Sequence, residues 1–164
     1  MKTLHLLRHA KSAWDNPAVV DRERGLNKRG RRDAPRMGAA LAVRMPPLPV
    51  AVSPARRAQL TLRGLCAGWP ALGGQQHATV EALYTFSATD LEAWLRGQDD
   101  AVSALFVIGH NPALTDLAFS LCPGQAPANL PTAGYLELAL CIDRWRDLRQ
   151  GCAQVVYSLF PRQL

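Results

Sequence analysis

The stretch that decides the fold lies near the N-terminus, where residues 3–12 read TLHLLRHAKS. The first five of these residues are mostly apolar and predict a buried strand, after which Arg8 and His9 follow directly. A second apolar run, residues 104–108, predicts the most continuous strand of the chain, and His110 comes shortly after it. Two predicted strands therefore each carry a histidine just beyond their carboxyl end.

Apolar strands alternate with helical patterns along the rest of the chain. Strands are predicted at residues 3–7, 50–53, 80–84, 104–108, 135–142 and 155–160. Helices are predicted at residues 28–44, capped by Asn27, at 55–67, at 90–97, capped by Thr89 or Asp90, and at 112–121, with a loop at 68–76. This alternation predicts an α/β fold, a three-layer sandwich whose mostly parallel central sheet has helices on both faces.

Length and composition set the class of protein. With 164 residues, 48% of them hydrophobic and 20% charged, we expect a single folded domain, residues 1–164. No apolar run approaches the roughly 20 residues that span a bilayer, so we expect no membrane partner and a cytoplasmic location. The four cysteines lack metal-ligand spacing, and we expect them to be reduced and to bind no metal.

The chain is basic, with 19 lysine and arginine residues against 13 acidic ones and a net charge of +6. Arginine is concentrated at residues 22–36, which is consistent either with a solvated loop and helix face or with attraction of an acidic substrate. Nucleic acid is not an expected partner, because this basic stretch has no interleaved aromatic residues on which bases could stack.

Three separated residues converge in the predicted fold. His9, Arg57 and His110 each follow the carboxyl end of a predicted strand, and ligands of parallel sheets bind at that edge. Guanidinium and imidazole groups supply the fixed donors and the nucleophile that transfer of a doubly charged phosphoryl group requires. The pattern therefore points to phosphoryl chemistry.

Several motifs occur in order along nearly the whole chain. They are LRHAKSAW at 7–14, LNKRGRRDA at 26–34, SPARRAQLT at 53–61, GHNPALTDLA at 109–118 and LCPG at 121–124. With these motifs the sequence resembles the histidine phosphatase superfamily, and within it the SixA-type phosphohistidine phosphatase branch. The resemblance implies a phosphoglycerate mutase-like fold.

The resemblance also implies roles for individual residues. His9 corresponds to the nucleophile that carries the phosphoryl group, and a neutral imidazole with its other ring nitrogen donating to a backbone carbonyl suits that task. Arg8 and Arg57 correspond to the arginines that hold the phosphoryl oxygens. His110 corresponds to the second histidine, which stabilises charge as the bond breaks. The mechanism implied needs no metal and no cofactor.

Further site residues are expected from the same alignment of motifs. We expect Ser12 and Asn111 to bind substrate. Arg56 adjoins Arg57, but only Arg57 fits the S-P-x-x-R-A pattern, and neighbouring residues of a helix point about 100° apart, so Arg56 is expected to face solvent. Glu81 lies where larger relatives carry a general acid, and it is equally consistent with a surface carboxylate.

Three functions are compatible with these residues. The first is a metal-independent phosphatase that works through phospho-His9 and acts on phosphohistidine of a signalling protein. The second is a phosphatase of a small phosphoester, such as a sugar or nucleoside phosphate. Asp15 disfavours a mutase, because a carboxylate stands where mutases have an amide and would repel a small phosphate. The third is a phospho-ligand binding module without catalysis, which would not need a nucleophile.

Overall fold

A single six-stranded sheet forms the centre of the molecule in the computed structural model, which describes all 164 residues. Its strands are β1 (Lys2–Arg8), β2 (Val50–Val52), β3 (His77–Thr79), β4 (Ala104–Gly109), β5 (Tyr135–Leu140) and β6 (Ala153–Leu159). They lie side by side in the order β3-β2-β4-β1-β5-β6. The first four strands of that order are parallel, and β5 and β6 join antiparallel at the β1 side.

Helices cover both faces of this sheet. They are α1 (Lys28–Ala42), α2 (Arg56–Gly68), α3 (Pro70–Gly73), α4 (Ala88–Arg96) and α5 (Ala113–Leu121). Strand residues alternate between two cores: Phe106 and Ile108 pack with α1 and α2, whereas Val107 packs with α4 and α5. The predicted three-layer sandwich with a mostly parallel sheet is confirmed. No helix is both long and apolar enough to cross a membrane.

The region between α2 and α4 differs from its prediction. The prediction of a strand at 80–84 is wrong. Strand β3 ends at Thr79, and Glu81–Leu83 forms a turn of 3₁₀ helix. Leu83 is buried, so the apolar pattern reflects packing of one turn into the core rather than alternation along a strand. The expected loop at 68–76 contains α3, and Ser87 caps α4 in place of Thr89 or Asp90.

The start of α1 is fixed against the loop that follows β1. The side chain of Asn27 accepts a hydrogen bond from the Gly30 N–H at 2.9 Å, which confirms the predicted cap. The backbone of Lys11 then packs so closely on Gly30 that a Cβ there would collide with the Lys11 carbonyl. This contact holds the segment that follows His9 against a rigid helix.

Helices α1 and α2 approach each other through glycines. A Cβ on Gly38 would collide with the Leu65 carbonyl, and a Cβ on Gly68 would collide with the Pro35 carbonyl. Backbone cannot move aside as a flexible side chain can, so these positions admit no larger residue without separating the helices.

We expect Gly38→Ala to destabilise the protein by about 1–3 kcal/mol, because overpacking a tight helix contact typically costs this much. Urea unfolding followed by circular dichroism measures the loss. Gly97→Ala is the matched control, since the nearest atom to a Cβ there is the Trp94 carbonyl oxygen at 3.6 Å. Equal stability of the two variants would show that the α1 and α2 contact tolerates a methyl group.

Candidate active site

The two histidines are brought together by the pairing of β1 with β4. Arg8 is the register partner of Gly109, and the N–H of His9 donates to the Gly109 carbonyl at 3.1 Å. His9 and His110 therefore leave adjacent strands at the same level, and their ring centroids lie 5.1 Å apart. Both side chains are buried at the carboxyl edge of the sheet.

The His9 ring is held with one nitrogen available for chemistry. Its Nδ1 donates to the carbonyl of Ala10 at 2.7 Å, so Nε2 carries the lone pair of the neutral ring. Burial lowers the pKa of His9 to about 4, and the nearby charges of Arg57 and Arg8 act in the same direction. At neutral pH the imidazole is therefore uncharged and nucleophilic at Nε2.

Arg57 reaches this nitrogen from the first turn of α2. The side chain is buried, and its Nε–H donates to Nε2 of His9 at 3.3 Å. Its remaining nitrogens bind Asp21, with Nη1 donating to the backbone carbonyl at 2.8 Å and Nη2 to Oδ2 at 3.0 Å. Arg56, one residue earlier, is exposed, as the motif register predicts.

His110 is oriented by Ser53, the residue that follows β2. The Ser53 hydroxyl accepts from the N–H of Ala55 at 3.2 Å and lies 2.7 Å from Nε2 of His110. If the hydroxyl donates its own hydrogen to Nε2, the His110 proton resides on Nδ1, which has no partner within the protein. Burial, followed by the proximity of His9, lowers the pKa of His110 to about 3. The ring is thus neutral and can donate from Nδ1.

Arg8 completes a cationic cluster. Its Nη1 donates to the carbonyl of Leu130 at 3.1 Å, whereas its Nε is buried without a partner. Burial and the charge of Arg57 both lower the pKa of Arg8. Unpartnered buried donors cost free energy, and phosphoryl oxygens are acceptors of the kind that Arg8 Nε and His110 Nδ1 lack.

Residues 4–94 match the model of the histidine phosphatase superfamily, branch 1. The chain belongs to the histidine phosphatase superfamily. An uncharacterised protein of Mycobacterium tuberculosis is 30% identical over 166 residues, which cover 95% of this chain and all of the relative. Membership supports phosphatase activity for this protein.

Solved structures share the fold of this histidine phosphatase. The protein histidine phosphatase SixA complexed with tungstate superimposes with a TM-score of 0.78 at 22% identity, over 98% of both chains. A protein assigned as the phosphohistidine phosphatase SixA of Agrobacterium tumefaciens gives 0.77 at 24% identity, again over 98% of each chain. A mycobacterial glucosyl-3-phosphoglycerate phosphatase gives 0.66 at 16% identity, over 96% of this chain and 98% of its own. The predicted phosphoglycerate mutase-like fold is confirmed.

Three other predicted site residues have structural partners of their own in this histidine phosphatase. Ser12 accepts a hydrogen bond from the indole of Trp14 at 3.0 Å. Asn111 donates to the carbonyl of Leu130, the same oxygen that binds Arg8, at 3.0 Å. Their direct contacts with substrate stay a prediction, and in this structure both side chains brace the loops that carry Arg8, His9 and His110.

Glu81 is not joined to the cluster. Its carboxylate forms a two-point contact with Arg22, with oxygen to nitrogen distances of 2.6 and 2.9 Å, and its side chain is 71% exposed. The contact with Arg22 lowers the pKa of Glu81 and keeps the carboxyl group ionised. Its role as general acid stays a prediction that this placement does not favour.

Sequence reasoning missed Asp21 and Tyr84. Asp21 binds Arg57 directly, and the Tyr84 hydroxyl donates to Asp21 Oδ2 at 2.6 Å. The Tyr84 ring also packs edge-on against His110 at a centroid distance of 5.5 Å. Asp21 lies in a turn of 3₁₀ helix, Asp21–Glu23, and Tyr84 directly follows another such turn. Both residues lie outside the matched motifs, so no local pattern pointed to them. No group of three or more His, Cys, Asp or Glu side chains is placed to hold a metal ion.

We expect Arg57→Ala to reduce phosphatase activity by at least about 100-fold, because it removes a buried charged donor at the reacting nitrogen. Arg56→Ala is the matched control and should retain activity within about twofold, since its side chain is exposed. Steady-state rates with p-nitrophenyl phosphate measure both variants. Loss of activity in Arg56→Ala, with activity kept in Arg57→Ala, would show that Arg56 and not Arg57 serves the site.

We expect the His9 ring to stay neutral well below the ordinary histidine pKa, because its pKa lies at about 4. Nitrogen-15 NMR of the imidazole should show the Nδ1–H form at pH 6 and protonation only near pH 4. The unfolded chain takes up this proton near pH 6.5, so His9 should also make the fold less stable as the pH falls from 6.5 to 4. Protonation of the folded protein near pH 6.5 would contradict the burial argument.

Proposed function

We propose that this histidine phosphatase removes the phosphoryl group from phosphohistidine of a cytoplasmic signalling protein, through a phospho-His9 intermediate and without a metal. The observation that carries the proposal is the protonation state of the site. A neutral nucleophile stands beside two guanidinium groups, and no imidazole or carboxyl group there is held in its acidic form at neutral pH.

The first step is a transfer between two imidazoles. Nε2 of His9 attacks phosphorus, the bond from phosphorus to the substrate nitrogen breaks, and its electron pair stays on that nitrogen. The substrate reacts as the phosphoimidazolium, with a proton on its other ring nitrogen, so the ring departs as neutral imidazole. The new phosphoimidazole on His9 keeps its Nδ1–H on the Ala10 carbonyl, which stabilises the positive charge that the ring acquires.

The lack of an imidazole or carboxyl group that could act as a general acid favours an imidazole leaving group over an alkoxide. An alkoxide needs a proton as it departs, and a general acid that supplies one has a pKa near or above the working pH. Here the pKa values of His9 and His110 are about 4 and 3, and hydrogen bonds lower the pKa values of Asp21 and Glu81. Burial raises the pKa of the Tyr84 hydroxyl, and its proton is engaged in the hydrogen bond to Asp21. The site is therefore better suited to breaking a phosphorus to nitrogen bond than an alkyl ester.

Exposed aromatic residues, one beside the site and one in the loop that follows β1, support a protein partner. Phe86 lies 5.7 Å from the His110 ring, centroid to centroid, and 48% of its surface is exposed. Trp14 is 65% exposed, with the Arg24 guanidinium stacked 3.9 Å from its ring centroid. Exposed aromatic side chains close to a functional site are typical of surfaces that contact other proteins.

We expect a phosphohistidine peptide to be hydrolysed with a kcat/KM roughly 100-fold or more above those of sugar and nucleoside phosphates, which require a general acid. The assay is a competition between these substrates in the presence of EDTA, and His9→Ala should abolish turnover. Preference for a small phosphate would favour the second hypothesis instead. Phosphate binding without any turnover would favour the binding module.

We also expect the rate of phospho-His9 formation from aryl phosphates to depend strongly on the leaving group. Without an acid to assist, the rate should rise steeply as the pKa of the departing phenol falls. Rapid-quench measurements with a series of substituted phenyl phosphates test this dependence. A nearly flat dependence would show that a protonated group assists departure.

A further inference from the structure

We propose that Asp21 is a further catalytic residue, which accepts the proton of the water that hydrolyses phospho-His9, and that Tyr84 positions it. This inference rests on the proposed covalent intermediate but not on the identity of the substrate, because every substrate would lead to the same phosphoenzyme.

Asp21 is the carboxylate that the fold brings to the reacting nitrogen. Arg57 contacts both groups at once, with Nε on His9 Nε2 at 3.3 Å and Nη2 on Asp21 Oδ2 at 3.0 Å. A phosphoryl group on Nε2 would therefore share Arg57 with Asp21. Asp21 therefore offers a carboxylate, joined to His9 through one guanidinium group, to a water molecule that attacks this phosphoryl group.

Asp21 is held in place from two sides. Its backbone carbonyl accepts from Arg57, and its Oδ2 accepts from the Tyr84 hydroxyl at 2.6 Å. The next residue, Arg22, binds Glu81 in the 3₁₀ turn just before Tyr84. These two neighbouring contacts fasten the Asp21 segment to the Tyr84 segment. Glu81 therefore has a structural partner, whereas Asp21 faces the reacting group.

Hydrogen bonds from Tyr84 and Arg57 lower the pKa of Asp21, so its carboxylate is ionised when water attacks. Such a carboxylate is a weak base toward free water. It becomes effective as the bond from oxygen to phosphorus forms, because the attacking water is then far more acidic. The 44% exposure of the Asp21 side chain lets the proton pass on to solvent.

The step balances in atoms and charge. The water oxygen bonds to phosphorus, and the bond from phosphorus to His9 Nε2 breaks, with its electron pair returning to the ring. One water proton stays on the phosphate product and the other moves to Asp21 Oδ1, because Oδ2 already accepts hydrogen bonds from Arg57 and Tyr84. His9 is then neutral again with its proton on Nδ1, and Asp21 releases its proton to solvent.

The test measures formation and breakdown of the phosphoenzyme separately. Enzyme is mixed with radiolabelled phosphoramidate and quenched rapidly, and the base-stable, acid-labile label on the protein is counted. We expect Asp21→Asn to slow breakdown by about 100-fold, as removal of a general base does, so that phosphoenzyme accumulates, while its formation changes by less than about threefold. Breakdown in this variant should accelerate with rising pH, because hydroxide replaces the lost base.

Further variants keep the result interpretable. Asp147→Asn is the matched control, because Asp147 is also in a 3₁₀ turn and also binds an arginine, but lies beyond β5 at the opposite edge of the sheet. Asp21→Glu should restore part of the breakdown rate. Tyr84→Phe keeps the ring on His110 and should slow breakdown less than Asp21→Asn does.

Each other outcome overturns the inference. Slower formation in Asp21→Asn without accumulation would mean that Asp21 only positions Arg57. Unchanged breakdown in Asp21→Asn, or accumulation in Glu81→Gln instead, would exclude Asp21 as the base. If the unaltered protein forms no phosphoenzyme on His9, the proposed function and this inference both fail. If phosphoenzyme forms normally and its breakdown is unaffected in Asp21→Asn, only this inference fails.

Discussion

The parallel pairing of β1 with β4 is the constraint on which the site depends. Because Arg8 and Gly109 are register partners, the two histidines that follow leave the sheet side by side. A shift of one residue in this register would turn the side chains to opposite faces of the sheet. The hydrogen bond from His9 to Gly109 extends the pairing by one step beyond the strand and fixes the nucleophile.

Burial then determines the chemistry of this edge. The same low-polarity surroundings that keep both imidazoles neutral also make each guanidinium a stronger partner for a doubly charged oxyanion. The site therefore combines an uncharged nucleophile with permanent positive charge, which a cluster of exposed histidines could not do. Asp21 reduces that positive charge beside Arg57, and its carboxylate adds to the cluster a group that can accept a proton.

The predicted site residues fall into two groups. Arg8, His9 and His110 could be predicted because each follows a strongly apolar strand, and Arg57 because it opens a helix directly after one. Glu81 belongs to the other group: it was placed only by its approximate distance along the chain, and it lies in a turn whose direction the sequence does not specify. Its pairing with Arg22 depends on two loops that meet only in the folded molecule.

The amino-acid sequence was sufficient for most of the alternation of strands and helices and for the strand-end positions of the two histidines. These are local properties, governed by hydrophobic periodicity. The choice of Arg57 over Arg56 came from the S-P-x-x-R-A pattern of the family that the sequence resembles. Only the tertiary structure decided which carboxylate lies beside Arg57 and His9, because Asp21 and Tyr84 come from segments 63 residues apart and are joined by one hydrogen bond. It also decided the protonation of His9 and His110, since desolvation is a property of everything packed around a group and not of its neighbours in the chain.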